Sequence, residues 1–275
     1  MYAGTTLTNY SGRVLGTHQK IDRVARQNLE RLLPGLSFPK IKLILHFEGG
    51  NGPDAIKRKS PAKDEPWHYL RPFDDDDTQL LRLIEEHYHA LVAALRQQDD
   101  IRAAFEAAWL AHAIVDGLTP AHHYPYEEKL VELMSGRGIE TRVTVKEKLV
   151  MPGETRGRQF KNNWKMWGPK GLFTTHAAFE WGVGVLMTPM KLKRATPTAD
   201  KLAQFAAQPL TLWFRQQAQE IARLEFYDTF YKSGWTIPLA RRVRRQLAPA
   251  LVESVVLVWQ GAAREAQLNP LNVKT

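Results

Sequence analysis

The chain of 275 residues carries 38 Lys and Arg against 29 Asp and Glu, which gives a formal net charge of +9, and it contains no cysteine. The lack of cysteine excludes disulfides and thiolate metal sites, so its nine histidines and its carboxylates are the candidate protein ligands for a metal. The basic balance favours anionic partners such as phosphate esters, nucleic acid or acidic lipid surfaces.

The N-terminal segment, MYAGTTLTNYSGRVLG, lacks the basic start and apolar stretch of a secretory signal, so the default expectation is a cytoplasmic location. No stretch approaches the roughly 18 apolar residues of a transmembrane helix. The most apolar C-terminal piece, 250–259, is interrupted by Glu253 and is typical of a core helix. We therefore predict no transmembrane segment.

Helical periodicity dominates the rest of the chain. Apolar residues recur at helical spacing in 17–33, 78–95, 100–117, 172–190, 199–231 and 238–267, with Pro209 and Pro238 as breaks. The short segment 41–46 suits a strand or a helix, and 141–150 (TRVTVKEKLV) alternates in a way that favours a hairpin. These patterns predict one all-α, multi-helix domain over 1–275 that contains a long irregular or β-hairpin insert at about 135–172.

The stretch AHAIVDGLTPAHHY, at 111–124, places three potential metal ligands close together. His112 and Asp116 are four residues apart and share one face of a helix. Pro120 ends that helix, so the chain turns and His122 points back toward the same place. A second pair, His176 and Glu180, has the same spacing on a later predicted helix. Two such pairs that converge in a helical bundle make a good site for divalent metal.

The pattern His112-x3-Asp116-x2-Thr119-Pro120-x-His122 resembles the signature of the zinc-dependent phospholipase C and P1-type nuclease superfamily. Members of that superfamily are α-helical, hold three clustered zinc ions and cleave phosphodiester or phosphomonoester bonds. Further segments match in the family's order: GTH at 16–18, GPD at 52–54, WHY at 67–69 and the pair in 176–180. The resemblance supplies eight ligands: His18, Asp54, His68, His112, Asp116, His122, His176 and Glu180.

The resemblance also implies how these ligands are shared. Asp54, His68, His112 and Asp116 are implied to hold one zinc ion. A second set, His122, His176 and Glu180, is implied to hold another, while His18 and a bridging Asp116 hold the third. Clustered divalent metals activate water and neutralise charge at phosphorus. The implied general base is Asp54.

One departure from the family concerns the third zinc site. In the family, an N-terminal Trp completes that site, whereas the first tryptophan of this chain is Trp67. We therefore expect two to three zinc ions, with a third site that is weaker or completed by another group. His46 is a candidate substitute; the alternative is that it is a core or surface histidine.

The insert concentrates the basic charge of the chain. Trp164 and Trp167 lie among basic residues that include Lys161 and Lys165. Indoles and cations suit an anionic lipid interface, where they reach headgroups and phosphates. They also suit single-stranded nucleic acid, where bases stack on aromatic rings. A solvated segment whose tryptophans pack on the main body is the third alternative.

Three functions are compatible with these residues. The first expectation is a zinc-dependent phosphoric ester hydrolase, most similar to phospholipase C, acting on a phospholipid headgroup. The second is a P1/S1-like nuclease or nucleotidase, which uses the same ions. The third is a non-catalytic helical scaffold that holds metal for structure alone.

Overall fold

The computed structural model describes residues 16–56, 61, 67–192 and 195–268, and every regular element within these ranges is helical. The prediction of an all-α protein is therefore confirmed for this part of the chain. The α-helices are α1 (Thr17–Leu32), α2 (Ile41–Glu48), α3 (Pro53–Ile56), α4 (Gln79–Arg96), α5 (Asp100–Gly117), α6 (Tyr126–Leu133), α7 (Val145–Leu149), α8 (Arg156–Trp167), α9 (Leu172–Met187), α10 (Ala199–Ala206), α11 (Leu210–Ala222), α12 (Phe226–Ser233), α13 (Ile237–Arg242) and α14 (Ala248–Leu268). Short 3₁₀-helices lie at Pro120–His123 and Ile139–Thr141, and a π-helical turn at Val243–Leu247 joins α13 to α14.

The centre of the molecule is α5, which packs against α1, α2, α4 and α14. The Asp99 side chain accepts a hydrogen bond from the Arg102 amide and so caps the start of this helix. At the other end, a Cβ on Gly117 would lie 2.5 Å from Leu80 and 2.7 Å from Phe214. A larger residue there would push α4 and α11 away from the end of α5, which is where the candidate site lies.

The structure decides one alternative that the sequence left open and divides one predicted helical stretch. The ambiguous segment 41–46 belongs to helix α2. The stretch 199–231 contains three helices. Pro209 is the N-cap residue of α11, and Glu225, immediately before α12, adopts a left-handed conformation with φ of 49°. A left-handed residue cannot continue an α-helix, so the chain changes direction there.

The prediction of a β-hairpin within the insert is wrong. Residues 145–149 form the short helix α7, because Thr144 and Glu147 make a reciprocal capping box. The Thr144 side chain accepts from the Glu147 amide, and a Glu147 carboxylate oxygen accepts from the Thr144 amide at 2.8 Å. This local cap outweighs the alternating pattern, which has no partner strand among the described residues.

The insert packs on the body through its own small core. Met151 and Met166 are buried against α6, where Tyr126, Leu130 and Leu133, with Met134 just after the helix, complete the cluster. The helix α8 therefore has one anchored side and leads directly into α9. No helix among the described residues has the length and apolar character needed to cross a bilayer.

Candidate metal centre

All eight of the predicted ligand residues lie in one network of close contacts at the C-terminal end of α5. His112 and Asp116 come from the last turns of that helix, and His18 from the first turn of α1. Asp54 lies in α3, His68 in the extended segment before α4, and the remaining three come from the 3₁₀-helix at Pro120–His123 and from α9: His122, His176 and Glu180. Residues that are widely separated in sequence are thus brought together at one end of α5, which packs against α1 and continues into the 3₁₀-helix that contacts α9.

Asp116 is the centre of this network, and it is fully buried. Its Oδ1 atom lies 3.2 Å from Nε2 of His18. Its Oδ2 atom lies 2.6 Å from Nδ1 of His68 and 3.1 Å from Nε2 of His112. The two oxygens of one carboxylate therefore face different imidazoles, which is the arrangement expected of a bridging ligand.

Asp54 lies at the outer edge of the same network. Its Oδ1 atom is 3.8 Å from Nε2 of His112. The Asp54 side chain is 17% exposed, whereas that of Asp116 is 0% exposed. Ligand atoms of Asp54, His68 and His112 all lie within 4.8 Å of one another, close enough to share one cation. Asp54 is thus the carboxylate of this group that solvent reaches.

The second group consists of His122, His176 and Glu180. The Oε1 atom of Glu180 lies 2.8 Å from Nε2 of His122 and 3.1 Å from Nε2 of His176. The Nδ1 atom of His122 is 2.8 Å from the carbonyl oxygen of His68, which can only accept, so Nδ1 carries a proton. These contacts fix the imidazole of His122 with Nε2 toward the carboxylate.

This orientation of His122 fits a cation. Burial lowers the pKa of His122, so its imidazole is neutral at physiological pH. Its Nε2 atom then has only a lone pair to offer, and that lone pair faces the Glu180 carboxylate. Two acceptors at this distance repel each other unless a proton or a cation lies between them. The donor set therefore suits a bound divalent cation.

The turn that carries His122 follows directly from the sequence Asp-Gly-Leu-Thr-Pro. The Thr119 hydroxyl donates to the Val115 carbonyl at 2.7 Å and ends α5. Pro120 then starts the 3₁₀-helix, a position where its missing N–H costs nothing. The Leu70 amide donates to the His122 carbonyl at 3.2 Å, which ties the His68 segment to this turn. The two ligand-bearing segments are therefore held in register by this backbone hydrogen bond.

Glu48, which no sequence pattern indicated, is 0% exposed and lies behind two of the histidines. Its Oε1 atom is 2.9 Å from Nδ1 of His112 and 3.8 Å from Nδ1 of His18. The two rings stack with their centroids 4.0 Å apart. Because Nδ1 of both rings faces Glu48, Nε2 of both rings faces Asp116. Carboxylates in this outer position orient metal-binding imidazoles and raise their basicity.

The structure does not support His46 as the group that completes the third site. Its side chain is exposed and lies 3.1 Å from the Asn51 amide nitrogen. Glu48, two residues further along α2, is the residue of this helix that reaches the centre, where it lies on the Nδ1 side of His18 and His112. The N-terminal segment before residue 16, where the family places its Trp, lies outside the described residues.

A cleft of about 430 Å³ opens next to the second ligand group and includes His122 in its wall. Trp67, Tyr69 and Tyr126 form an aromatic side, in which the two tyrosine rings stack at 5.4 Å. The charged residues that line it are Arg71, Asp76, Asp77, Arg82, Glu127 and Glu128. The cleft thus combines aromatic walls with more carboxylates than cations.

The insert residues that we predicted to form an interface are not equivalent in the structure. Lys161, Trp164 and Lys165 are exposed on α8. Trp167 is half-buried, and its Nε1 atom donates to the Leu149 carbonyl at 2.8 Å. Trp167 therefore anchors the insert, and Trp164 is the tryptophan that faces solvent.

The comparisons with known proteins give no family or relative for this chain. No family model, curated protein or solved structure matches it. The candidate site is consequently described by its own geometry: buried imidazoles and carboxylates that converge on Asp116 and Glu180.

Metal binding is expected to release a proton from His112. Burial lowers the pKa of His112, but the carboxylates of Glu48 and Asp116 outweigh burial and raise that pKa from 6.5 to about 10. Below that pH, Nε2 must lose a proton before it binds a cation, so affinity should rise as the pH rises toward 10. Calorimetric titration of the metal-free protein with zinc, in buffers of different ionisation enthalpy, measures the protons released.

Glu48→Gln is the matched variant for this titration. Without the carboxylate at Nδ1, the pKa of His112 falls, so proton release should be confined to lower pH. The loss of an orienting group should also weaken metal binding by about 10- to 100-fold. Equal proton release and equal affinity in the two proteins would exclude Glu48 from the centre.

Proposed function

We propose that this protein is a metal-dependent phosphoric ester hydrolase, with a bundle similar to that of the zinc-dependent phospholipase C and P1-type nuclease superfamily. The observation that supports this proposal is that eight residues, in the order found in that superfamily, form one network of contacts that includes the Asp116 and Glu180 carboxylates. Imidazole and carboxylate ligands suit zinc, and also manganese or iron.

The chain's own residues would hold the cations, and one of them, Asp54, would also accept a proton. The groups of Asp54, His68, His112 and Asp116 and of His122, His176 and Glu180 would hold cations, with His18 and Asp116 at a third position. When bound, divalent cations supply Lewis acidity that makes water more acidic and neutralises charge on phosphoryl oxygens. We assign the general base to Asp54, since its partly exposed carboxylate adjoins both solvent and His112.

The cleft favours a phospholipid headgroup over nucleic acid as the substrate. Its wall carries Asp76, Asp77, Glu127 and Glu128 against Arg71 and Arg82. A polyanionic strand would be repelled by this balance, whereas the amine of a zwitterionic headgroup suits carboxylates and aromatic rings. We therefore infer that the activity is phospholipase C-like, the cleaved bond being a phosphodiester.

Zinc-loaded protein assayed on three substrates tests this proposal. We expect hydrolysis of a chromogenic phosphocholine ester that is abolished by a chelator and restored by zinc. Bis-nitrophenyl phosphate reports general phosphodiesterase activity, and single-stranded DNA reports nuclease activity. Cleavage of DNA without the phosphocholine ester would make the protein a nuclease. If the zinc-loaded protein hydrolyses none of the three substrates, the hydrolase proposal is contradicted and a scaffold that holds structural metal is favoured.

A further inference from the structure

The outer face of α8, the helix that precedes α9, exposes large aromatic side chains. Phe160 is 71% exposed and Trp164 is 60% exposed. They are four residues apart on one face of the helix, and their rings stack with centroids 6.4 Å apart. The opposite face is buried, because Asn162 and Met166 point toward the body. Exposed apolar surface of this kind gains free energy when it leaves water.

The same segment carries only positive charge. From 156 to 170 the sequence contains no Asp or Glu, and its exposed cations are Arg156, Arg158, Lys161, Lys165 and Lys170. A helix with Lys and Arg around exposed Phe and Trp is typical of surfaces that lie in the headgroup region of an anionic membrane. Each cation near such a surface adds about 1 kcal/mol of attraction.

Aliphatic side chains next to α8 favour a lipid surface over nucleic acid. Leu149 and Val150 are exposed, and their segment is tied to the C-terminal half of the helix. Asn163 exchanges hydrogen bonds with the Met151 backbone at 3.0 and 2.8 Å, and Trp167 donates to the Leu149 carbonyl. Aliphatic groups gain from contact with acyl chains but offer no ring on which a base can stack.

This surface is preformed and adjoins the centre along the chain. Met166 anchors α8 in the small core with α6, so binding requires little ordering of the helix. After Trp167 the chain turns at Gly168–Gly171 and enters α9, which carries His176 and Glu180. When the protein binds a surface through α8, the candidate centre on α9 therefore stays close to that surface.

We propose that the exposed face of α8, together with Leu149 and Val150, is a docking surface for an anionic phospholipid bilayer. Phe160 and Trp164 insert at the depth of the headgroups, and the surrounding cations contact lipid phosphates. Binding depends on this surface alone and does not require hydrolysis, so it stands apart from the proposed function.

The test is co-sedimentation of the full chain with phosphatidylcholine vesicles that contain or lack phosphatidylglycerol. We expect binding to the anionic vesicles, weaker binding without phosphatidylglycerol, and at least about tenfold weaker binding for the double variant Phe160→Ser, Trp164→Ser. The control is Ile101→Ser, which removes a 65%-exposed apolar side chain at the far end of α5 and should bind as the parent does. Thermal unfolding followed by circular dichroism verifies that each variant is folded.

Three outcomes would overturn the docking surface. The first is the absence of binding to anionic vesicles by the parent protein. The second is equal binding by the parent and the double variant. The third is that the parent protein binds single-stranded DNA, measured by fluorescence anisotropy, but does not bind vesicles. That result would assign the same surface to nucleic acid. Unchanged turnover of a soluble ester by the double variant separates a docking defect from loss of the proposed activity.

Discussion

Asp54→Asn should lower kcat on a phosphodiester substrate by about 10²- to 10⁴-fold while most of the metal remains bound. The amide keeps an oxygen beside Nε2 of His112, 3.8 Å from Oδ1 in the parent, but it cannot accept a proton from water. Metal content measured by mass spectrometry on the same preparation separates this effect from loss of the cations.

The control for this variant is Asp75→Asn, which makes the same chemical change at an exposed carboxylate outside the cleft lining. It should retain parental turnover and metal content. Full activity in Asp54→Asn would show that another group serves as the base. Joint loss of metal and activity would assign Asp54 mainly to metal binding.

Asp116→Asn should remove most of the bound metal. Both of its oxygens face imidazoles, at 3.2 Å from His18, 2.6 Å from His68 and 3.1 Å from His112. Loss of the negative charge should empty the positions that share this carboxylate and leave about one cation with His122, His176 and Glu180. Elemental analysis after dialysis of zinc-loaded protein measures the change.

A buried acid on α1 provides the matched control for Asp116. Burial and the neighbouring Glu48 carboxylate raise the pKa of Asp22 well above its usual value, which favours the neutral form of this side chain. Asp22→Asn is nearly isosteric and replaces a buried acid that is not among the predicted ligands, so metal content should stay close to that of the parent. Parental metal content in Asp116→Asn would contradict its bridging position.

The sequence was sufficient to predict the helices that carry strong local signals. The prediction of 100–117 coincides with α5 (Asp100–Gly117), because Asp99 caps its start and the Gly117–Pro120 turn fixes its end. The prediction of a hairpin at 141–150 was wrong because the local signal for it is weak. Its alternating pattern spans few residues, and one capping box at Thr144 decides the local structure.

Most residues of the candidate site could be predicted from two kinds of signal in the sequence. Spacing of four residues on a helix indicated His112 with Asp116 and His176 with Glu180. The resemblance to the phospholipase C and P1-type nuclease superfamily added His18, Asp54 and His68. Glu48 belongs to no such pair. It enters the centre because α2 packs on α1 and α5, which is a tertiary contact that periodicity does not encode.

The orientation of the insert tryptophans also depends on tertiary packing. Trp164 and Trp167 are three residues apart, and composition treats them alike. In the structure, the Leu149 carbonyl accepts from Trp167 and holds it against the body, while Trp164 stacks on Phe160 at the surface. A hydrogen bond to a segment outside α8 therefore decides that Trp164, and not Trp167, faces solvent.

Elemental analysis of the purified protein, before and after incubation with zinc and dialysis, measures whether the buried histidines and carboxylates hold cations at all. We predict two to three equivalents of divalent metal per chain, lost on treatment with a strong chelator. A protein that retains no stoichiometric metal after zinc incubation, while its circular dichroism shows a folded helical chain, would refute the metal centre and the hydrolase proposed from it.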